Sequence, residues 1–479
     1  MRRTIIEHVA EHAAKTPDKL AVMTAERSLT YAELYRLARG YAGYLASRGV
    51  KRGDIVVLRA SQTVEYAVQY LGIHLAGAVV TSLGKTLSDE GVAEVAQKVG
   101  ASMILNDPRG GVLEVAGKFF DEKISFEFPK LEDTADIIFT TGTTGASKGV
   151  ERTHNTLTAI AESHIHNCEY KDDTVMIIIG PVNHSGPVTQ IVASFMNGSS
   201  VYLLDGMTNI RAFYHALDYP STSIACLLPP SAIRVILQLT GSKLGDYRDK
   251  IDFVQSESAH LPESDKERLC DLLPNTRLYN EYGASEASSM ACYDYNKHRN
   301  KINCVGRPMI NAKIFIVDEH RNVIKSSKEN PGLIACAGDV NMKGYVNDPE
   351  LTAQTLVNGI VYTNDLGYID EDGFVYVTGR RDDVINVGGL KVAPTEVEAA
   401  ALEYDGVEDC VCVAVPDKIT GSALKLLVVI PSGELQPAKL SAYLASRLEG
   451  YKVPKFYERV EKIARTFNGK IDRKAYRVS

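Results

Sequence analysis

The sequence predicts an α/β protein: a large N-terminal domain of parallel α/β sheets, carrying a β-barrel-like subdomain, and a small α+β C-terminal domain. Three observations lead there. The chain has 479 residues, too many for one core at about 150 residues per folding unit. Between about residues 135 and 283, short β-branched runs alternate with helical stretches. That alternation implies a parallel sheet with helices on its faces. After Ala312 the pattern changes to strand-like runs separated by Asp, Asn and Gly turns, and after Arg380 it changes again.

The elements follow in order. The first part reads as a helix over Tyr31–Ser47, a strand over Ile55–Leu58 and a helix over Val64–Ala76. Apolar Ala135–Phe139 is a strand. The alternating region gives strands at Val175–Ile179, Ser200–Leu204, Ser223–Leu228, Asp252–Val254 and Thr276–Tyr279. Helices over Thr189–Met196, Arg211–Leu217 and Ser231–Leu239 separate the first four. Strand-like Lys313–Val317, Gly332–Ala335, Gly359–Tyr362 and Phe374–Val377 form the β-rich subdomain, about 306–381. The C-terminal unit, 382–479, holds a helix over Thr395–Leu402, strands over Glu408–Val415 and Lys425–Ile430, and a helix over Pro437–Arg447. The boundary falls near Asp382, leaving 1–381 as the first domain.

Bulk properties narrow the function. A formal net charge of -7 opposes a nucleic-acid backbone as partner, which needs a basic face. A small anion is still acceptable, because backbone dipoles can hold phosphate on an acidic protein. The eight cysteines contain no Cys-x-x-Cys pair and read as buried free thiols. The eleven histidines have no metal-ligand spacing. No apolar run approaches the ~20 residues that span a bilayer. Neither end carries a recognisable address, so the expected location is cytoplasmic, away from membranes.

The densest chemistry lies in Thr140-Thr-Gly-Thr-Thr-Gly-Ala-Ser-Lys-Gly149, which follows the Ala135–Phe139 run directly. Five hydroxyls, three glycines and a lysine share ten residues. Glycine admits close backbone approach, free N–H groups and hydroxyls donate, and Lys148 adds charge, so the run suits phosphate. It is not a Walker loop. The fifth residue after Gly142 is Ser147 rather than Gly, and Lys148 precedes Gly149 rather than Ser or Thr. Thr144 stands where a dinucleotide fingerprint needs its second Gly.

This run resembles the signature phosphate loop of the adenylate-forming superfamily of acyl-CoA synthetases, carrier-protein adenylation domains and luciferases. The usual ending is Pro-Lys-Gly; here Ala146-Ser147 replaces the variable residue and the Pro. Further matches follow in order: Thr153-His154-x-x-Leu157, Pro181-Val-Asn-His184-Ser-Gly186, Tyr279-Asn-Glu-Tyr-Gly-Ala-Ser-Glu286 and Tyr362-Thr-Asn-Asp365. The last two are Gly379-Arg-Arg-Asp-Asp-Val-Ile-Asn-Val-Gly-Gly-Leu-Lys-Val392 with Pro394-x-Glu396-x-Glu398, and Arg465-Thr-Phe-Asn-Gly-Lys470-Ile-Asp-Arg473. Weaker matches, such as Leu29-Thr-Tyr-x-Glu-Leu34, extend the resemblance over nearly the whole chain.

The resemblance implies roles. Thr140, Thr141, Gly142, Thr143, Thr144, Gly145 and Lys148 cradle the phosphates of ATP. Tyr282 stacks on adenine, Ser285 stands beside the α-phosphate, and Glu286 holds Mg²⁺; Glu281 and Gly283 complete that motif. Asp365 accepts from the ribose hydroxyls, and Arg380 contacts ribose or phosphate. Asn364 replaces the usual Gly, and a left-handed backbone there would preserve the turn. Lys470 binds the acyl carboxylate and α-phosphate, Asp382 is the hinge of a mobile C-terminal domain, and Gly388 and Gly389 line the CoA tunnel. His184 borders the acyl pocket, where Glu257 and Ser258 replace two small glycines. Glu257 either selects an acid bearing a hydroxyl or amine, or turns away to solvent or a neighbour.

The implied reaction joins an acid to ATP as acyl-AMP and passes the acyl group to the thiol of CoA. Two alternatives stand beside it: loading of a separate carrier protein, and a nucleotide-binding protein that has lost catalysis. The implied partners are a small carboxylic acid, ATP and CoA, with the protein a monomer or homodimer.

Overall fold

The computed structural model describes residues 2–106, 111–140, 148–207, 209–465 and 471–476, apart from the side chains of Thr140 and Lys474. Two sheets dominate. The smaller runs in the order Gly344–Tyr345, Lys148–Thr153, Thr134–Thr140, Val79–Gly84, Ile55–Ala60, Met103–Leu105. Its last four strands are parallel, and the Lys148–Thr153 strand is antiparallel to both of its neighbours.

The larger sheet has fourteen strands among the described residues. Its parallel part holds Leu20–Met23, Ser200–Leu203, Thr174–Ile178, Ser223–Leu227, Ile251–Ser256 and Arg277–Ala284. These strands read as continuous apolar runs because both faces are covered. In Thr174–Ile178, Met176 and Ile178 enter one core cluster, while Val175 and Ile177 enter the other. Ser223–Leu227 divides likewise, Ala225 and Leu227 one way and Ile224 and Cys226 the other.

Beyond Arg277–Ala284 every further pairing along this sheet is antiparallel, through Ala287–Asp294, Cys304–Pro308, Val375–Arg380, Ile360–Ile369, Gly332–Ala337 and Lys313–Val317. The β-rich segment therefore continues the parallel sheet. Three strands separate Arg277–Ala284 from Ile360–Ile369 along the sheet, and the Tyr282 side chain nevertheless reaches Asp365.

Helix starts follow their capping signals. Thr30 accepts from the Glu33 N–H while the Glu33 carboxylate accepts from the Thr30 N–H, and the helix runs Tyr31–Ser47. Thr153 caps His154–Asn167 through the Thr156 N–H at 3.0 Å, which gives the Thr153-His154 motif a structural reason. A separate apolar cluster includes Val397, Ala401, Cys410, Cys412, Leu424, Leu426, Leu440 and Leu444. All eight cysteines are buried and free of disulfides. No described helix is long and apolar enough to cross a membrane.

Candidate active site

The glycine-rich run lies in sequence between two antiparallel strands. Thr134–Thr140 pairs with Lys148–Thr153 up to the register Thr140 to Lys148. Thr141, Gly142, Thr143, Thr144 and Gly145, with Ala146 and Ser147, lie outside the described residues. A strand follows the run, where a Walker or dinucleotide loop leads into a helix, so topology agrees with the spacing argument. Gly149 is required by close packing, since a Cβ there would lie 2.5 Å from Val346 Cγ1.

The base of this hairpin holds a fully buried ion pair. Arg152 Nε and Nη2 donate to the two Asp136 oxygens at 2.8 and 2.6 Å, and Nη1 donates to Ser185 Oγ at 2.8 Å. Tyr70 donates to the same carboxylate at 3.2 Å. Arg152 thus connects the hairpin with the start of the Ser185–Asn197 helix. His184 is that helix's N-cap residue, and its side chain makes no capping bond.

Glu257 reaches the same place. A Cβ on Gly186 would fall 1.4 Å from Glu257 Oε1, so the carboxylate lies against the glycine's Cα, two residues from His184. Ser258 has φ of 79°. That left-handed geometry favours glycine and costs another residue roughly 1–2 kcal/mol, which explains why a glycine is usual there.

Ser285 and Glu286 form the turn between Arg277–Ala284 and Ala287–Asp294. Gly283 is dictated by backbone approach, because a Cβ would stand 1.5 Å from Ser288 O. Tyr282 OH donates to Asp365 Oδ2 at 2.7 Å, and Arg380 Nε lies 3.4 Å from Asp365 Oδ1. Burial, reinforced by the Asp365 charge, pushes the Tyr282 phenol well above its usual range, so it remains a donor. A carboxylate has about four acceptor positions, so Asp365 keeps capacity for ribose hydroxyls.

Glu281 departs from its expected place in the nucleotide set. Its carboxylate is buried and accepts from Gln255 Nε2, with His164 Nδ1 at 3.7 Å. Strand alternation explains the difference, since neighbours Glu281 and Tyr282 point to opposite faces. Burial pushes the His164 imidazole below its usual range, against the opposing charge of Glu281, and its Nε2 lies 2.9 Å from Ser289 Oγ.

Glu286 makes the connection that sequence did not reveal. Its Oε1 accepts from Tyr345 OH at 2.5 Å, and the Tyr345 ring centre lies 5.6 Å from Lys148 Nζ. Tyr345 sits in a two-residue strand, too short for any periodic signal. Among the described residues no group of three or more His, Cys, Asp or Glu could hold a metal. One carboxylate is nevertheless a fitting donor set for Mg²⁺, which binds through one or two carboxylates with substrate phosphates and water.

Asn364 does not have the left-handed backbone expected of it; it lies within the extended Ile360–Ile369 strand. Its amide does different work. Asn364 Oδ1 accepts from Arg381 Nη2 at 2.7 Å and its Nδ2 donates to Asp382 Oδ2 at 3.1 Å. Asp382 lies in the exposed turn Arg381–Asp383. Gly388 and Gly389 occupy the turn of the Ile385–Val392 hairpin with φ of 60° and 92°. Gly388 N–H donates to Thr420 O and Gly389 N–H to Asn386 Oδ1, contacts internal to the C-terminal unit. Lys470 lies outside the described residues. Arg465 and Ile471, which bracket it, pair as an isolated antiparallel bridge.

Comparison with known proteins decides the family. Residues 9–346 match the AMP-binding enzyme model, and residues 396–470 match the AMP-binding enzyme C-terminal domain. The chain belongs to the AMP-binding enzyme family. It is 27% identical to a long-chain-fatty-acid–CoA ligase of Bacillus subtilis (strain 168), over 98% of this chain and 94% of that one. It is 29% identical to a 2-succinylbenzoate–CoA ligase of Geobacillus kaustophilus (strain HTA426), over 94% and 93%. The ATP-bound crystal structure of MatB from Rhodopseudomonas palustris shares the fold, with a TM-score of 0.89, 24% identity, and coverage of 100% of this chain and 98% of that one. Each of these proteins is matched over nearly its full length.

Proposed function

We propose that this chain is an AMP-forming acid–CoA ligase. The observation that carries the reading is the convergence of Tyr282, Asp365 and Arg380, brought from separate strands into one hydrogen-bonded group inside a chain of the AMP-binding enzyme family. An aromatic face suits adenine, and an anchored carboxylate suits a ribose diol.

A carboxylate and ATP repel, so the barrier is mainly electrostatic and positional. The acid's carboxylate oxygen attacks the α-phosphorus, the bond to the β-phosphate oxygen breaks, and pyrophosphate leaves. Lys148 and Lys470 supply positive charge, the Thr140–Gly149 loop supplies donors, and Ser285 supplies a hydroxyl near the α-phosphate. Glu286 would hold Mg²⁺, which neutralises phosphate charge when bound. In the second half-reaction the thiol of CoA attacks the acyl carbon and AMP departs. Rotation at Asp382, the proposed boundary of the C-terminal domain, exchanges the Lys470 face for the Gly388–Gly389 face.

His184 and Glu257 are proposed as acyl-pocket wall. The position of Glu257 against Gly186, two residues from His184, supports its place in that wall, and the selection of an acid bearing a hydroxyl or amine is part of the proposal. Comparing plain with hydroxyl- or amine-bearing acids in wild type and Glu257→Gly tests this, and an unchanged preference removes it.

ATP–pyrophosphate exchange across a panel of acids, followed by addition of CoA, tests the whole reading. Acid-dependent exchange and a CoA thioester are expected. Exchange with no thioester, alongside loading of a carrier protein, would replace CoA as acceptor. ATP binding with no exchange for any acid would reject the enzyme.

A further inference from the structure

We propose that Tyr345 is a positioning residue that fixes the Glu286 carboxylate and the Lys148 ammonium relative to one another, so that the metal-bound triphosphate meets both at once. This rests on the reading that Glu286 and Lys148 face ATP.

Glu286 is held twice by one short segment. Its backbone carbonyl accepts from Met342 N–H at 2.9 Å, and its side chain accepts from Tyr345 OH at 2.5 Å. A hairpin turn alone would let a glutamate side chain rotate. A buried donor on one oxygen sets the carboxylate's plane and leaves acceptor capacity for a cation. The same aromatic ring faces Lys148 Nζ at 5.6 Å, within reach of a cation–π contact. One side chain therefore touches the proposed anionic and cationic ends of the triphosphate site.

Tyr345 is itself well anchored. It is 7% exposed. Residues 344 and 345 pair with Glu151 and Val150 on the strand that begins at Lys148. Tyr345 N–H donates to Thr352 Oγ1 at 2.9 Å, and Thr352 Oγ1 donates to Asp348 O at 2.8 Å. Gly344 is needed for this fit, because a Cβ would lie 2.9 Å from Thr352 Cγ2. The ring's position is thus set by the strand on one side and the Pro349–Thr355 helix on the other.

The test uses the full-length chain with a non-hydrolysable ATP analogue. Free Mn²⁺ is followed by electron paramagnetic resonance during titration of wild type, Tyr345→Phe and Glu286→Gln. Tyr345→Phe should raise the half-saturating Mn²⁺ concentration about tenfold, the low end for losing a partner of a metal ligand, with the urea midpoint little changed. It should raise the Mg²⁺ requirement of pyrophosphate exchange in parallel. An unchanged Mn²⁺ titration in Tyr345→Phe, with Glu286→Gln clearly weakened, overturns the positioning role and leaves the ligase reading intact. An unchanged titration in Glu286→Gln overturns the assignment of Glu286 itself. Should Tyr345→Phe fail to fold, Thr352→Val removes the hydroxyl that anchors the tyrosine backbone. A raised half-saturation there supports the proposal, and an unaltered one overturns it.

Discussion

Arg473 grips Glu398 with two parallel bonds, Nη1 to Oε1 and Nη2 to Oε2, each 2.7 Å. The pair ties the chain's last described turn to the Pro394–Leu402 helix, three residues after Lys470. The Pro394-x-Glu396-x-Glu398 motif thereby has a structural basis, and Glu396 meets Lys452 at 2.9 Å. Removing one member strands a buried charge, which costs about 3–5 kcal/mol. Arg473→Met should lower the unfolding free energy of the C-terminal unit by that amount in urea titrations. The double variant Glu398→Leu with Arg473→Met should recover most of it.

Lys470→Ala should slow adenylation by at least ~100-fold, the scale of losing one charge-stabilising donor. Thioester formation from pre-made acyl-AMP should survive. Equal losses in both half-reactions, in a folded protein, would show that Lys470 does not serve adenylation.

Stability should fall in mild acid because of buried imidazoles. Burial pushes His74 down to about 3 and His154 well below its usual value. His74 packs edge-to-face on His154 with ring centres 4.8 Å apart. Both are neutral when folded and take up protons when unfolded. Their contribution is complete above pH ~6.5 and is lost as pH drops toward 3. Each can add up to about 1.4 kcal/mol per pH unit to the slope. Urea midpoints at pH 7.5 and 5.5 should therefore differ, and His74→Gln should flatten the difference.

Gly283→Ala places a methyl 1.5 Å from Ser288 O. The Ser285–Glu286 turn must shift, at about 1–3 kcal/mol, the usual cost of overpacking. Exchange activity should drop with it. Gly117→Ala meets nothing within 4 Å and should leave both stability and exchange near wild type, which gives the comparison its control.

The proposed hinge gives two opposite substitutions. Asp382→Pro should spare pyrophosphate exchange and stop thioester formation. Asn364→Gly should quicken the second half-reaction by freeing Arg381 and Asp382. A single-turnover assay from acyl-AMP and CoA separates them, and an unaltered rate in Asn364→Gly would show that the amide does not restrain rotation.

Elements whose causes are local were legible in the sequence. The start of Tyr31–Ser47 was legible because Thr30 and Glu33 spell out a capping box. Val175–Ile179 could be read as buried on both faces because nothing in it is polar. Contacts set by long-range strand pairing were not legible. Tyr345 reaches Glu286 only because residues 344–345 add to the edge of the Lys148–Thr153 strand. Glu281 looked like its motif neighbours, yet strand alternation turned it inward to Gln255. The residue types at Asn364 and Ser258 suggested the reverse of their backbones: Asn364 is extended, and Ser258 carries the positive φ.

The Asn364 amide makes the proposed swing asymmetric in energy. Hydrogen bonds of this sort contribute about 0.5–1.5 kcal/mol each when net of water, and these two are exposed, toward the low end. Only the bond to Asp382 reaches past the proposed boundary, and at about 0.5 kcal/mol it would tilt a two-state domain equilibrium roughly twofold toward the arrangement observed. With glycine at 364 that bias would be lost, leaving other contacts across residue 382 such as Thr395 Oγ1 to Thr378 O. With asparagine the proposed swing would start from one favoured posture, so the step that leaves it would be a natural place for rate control.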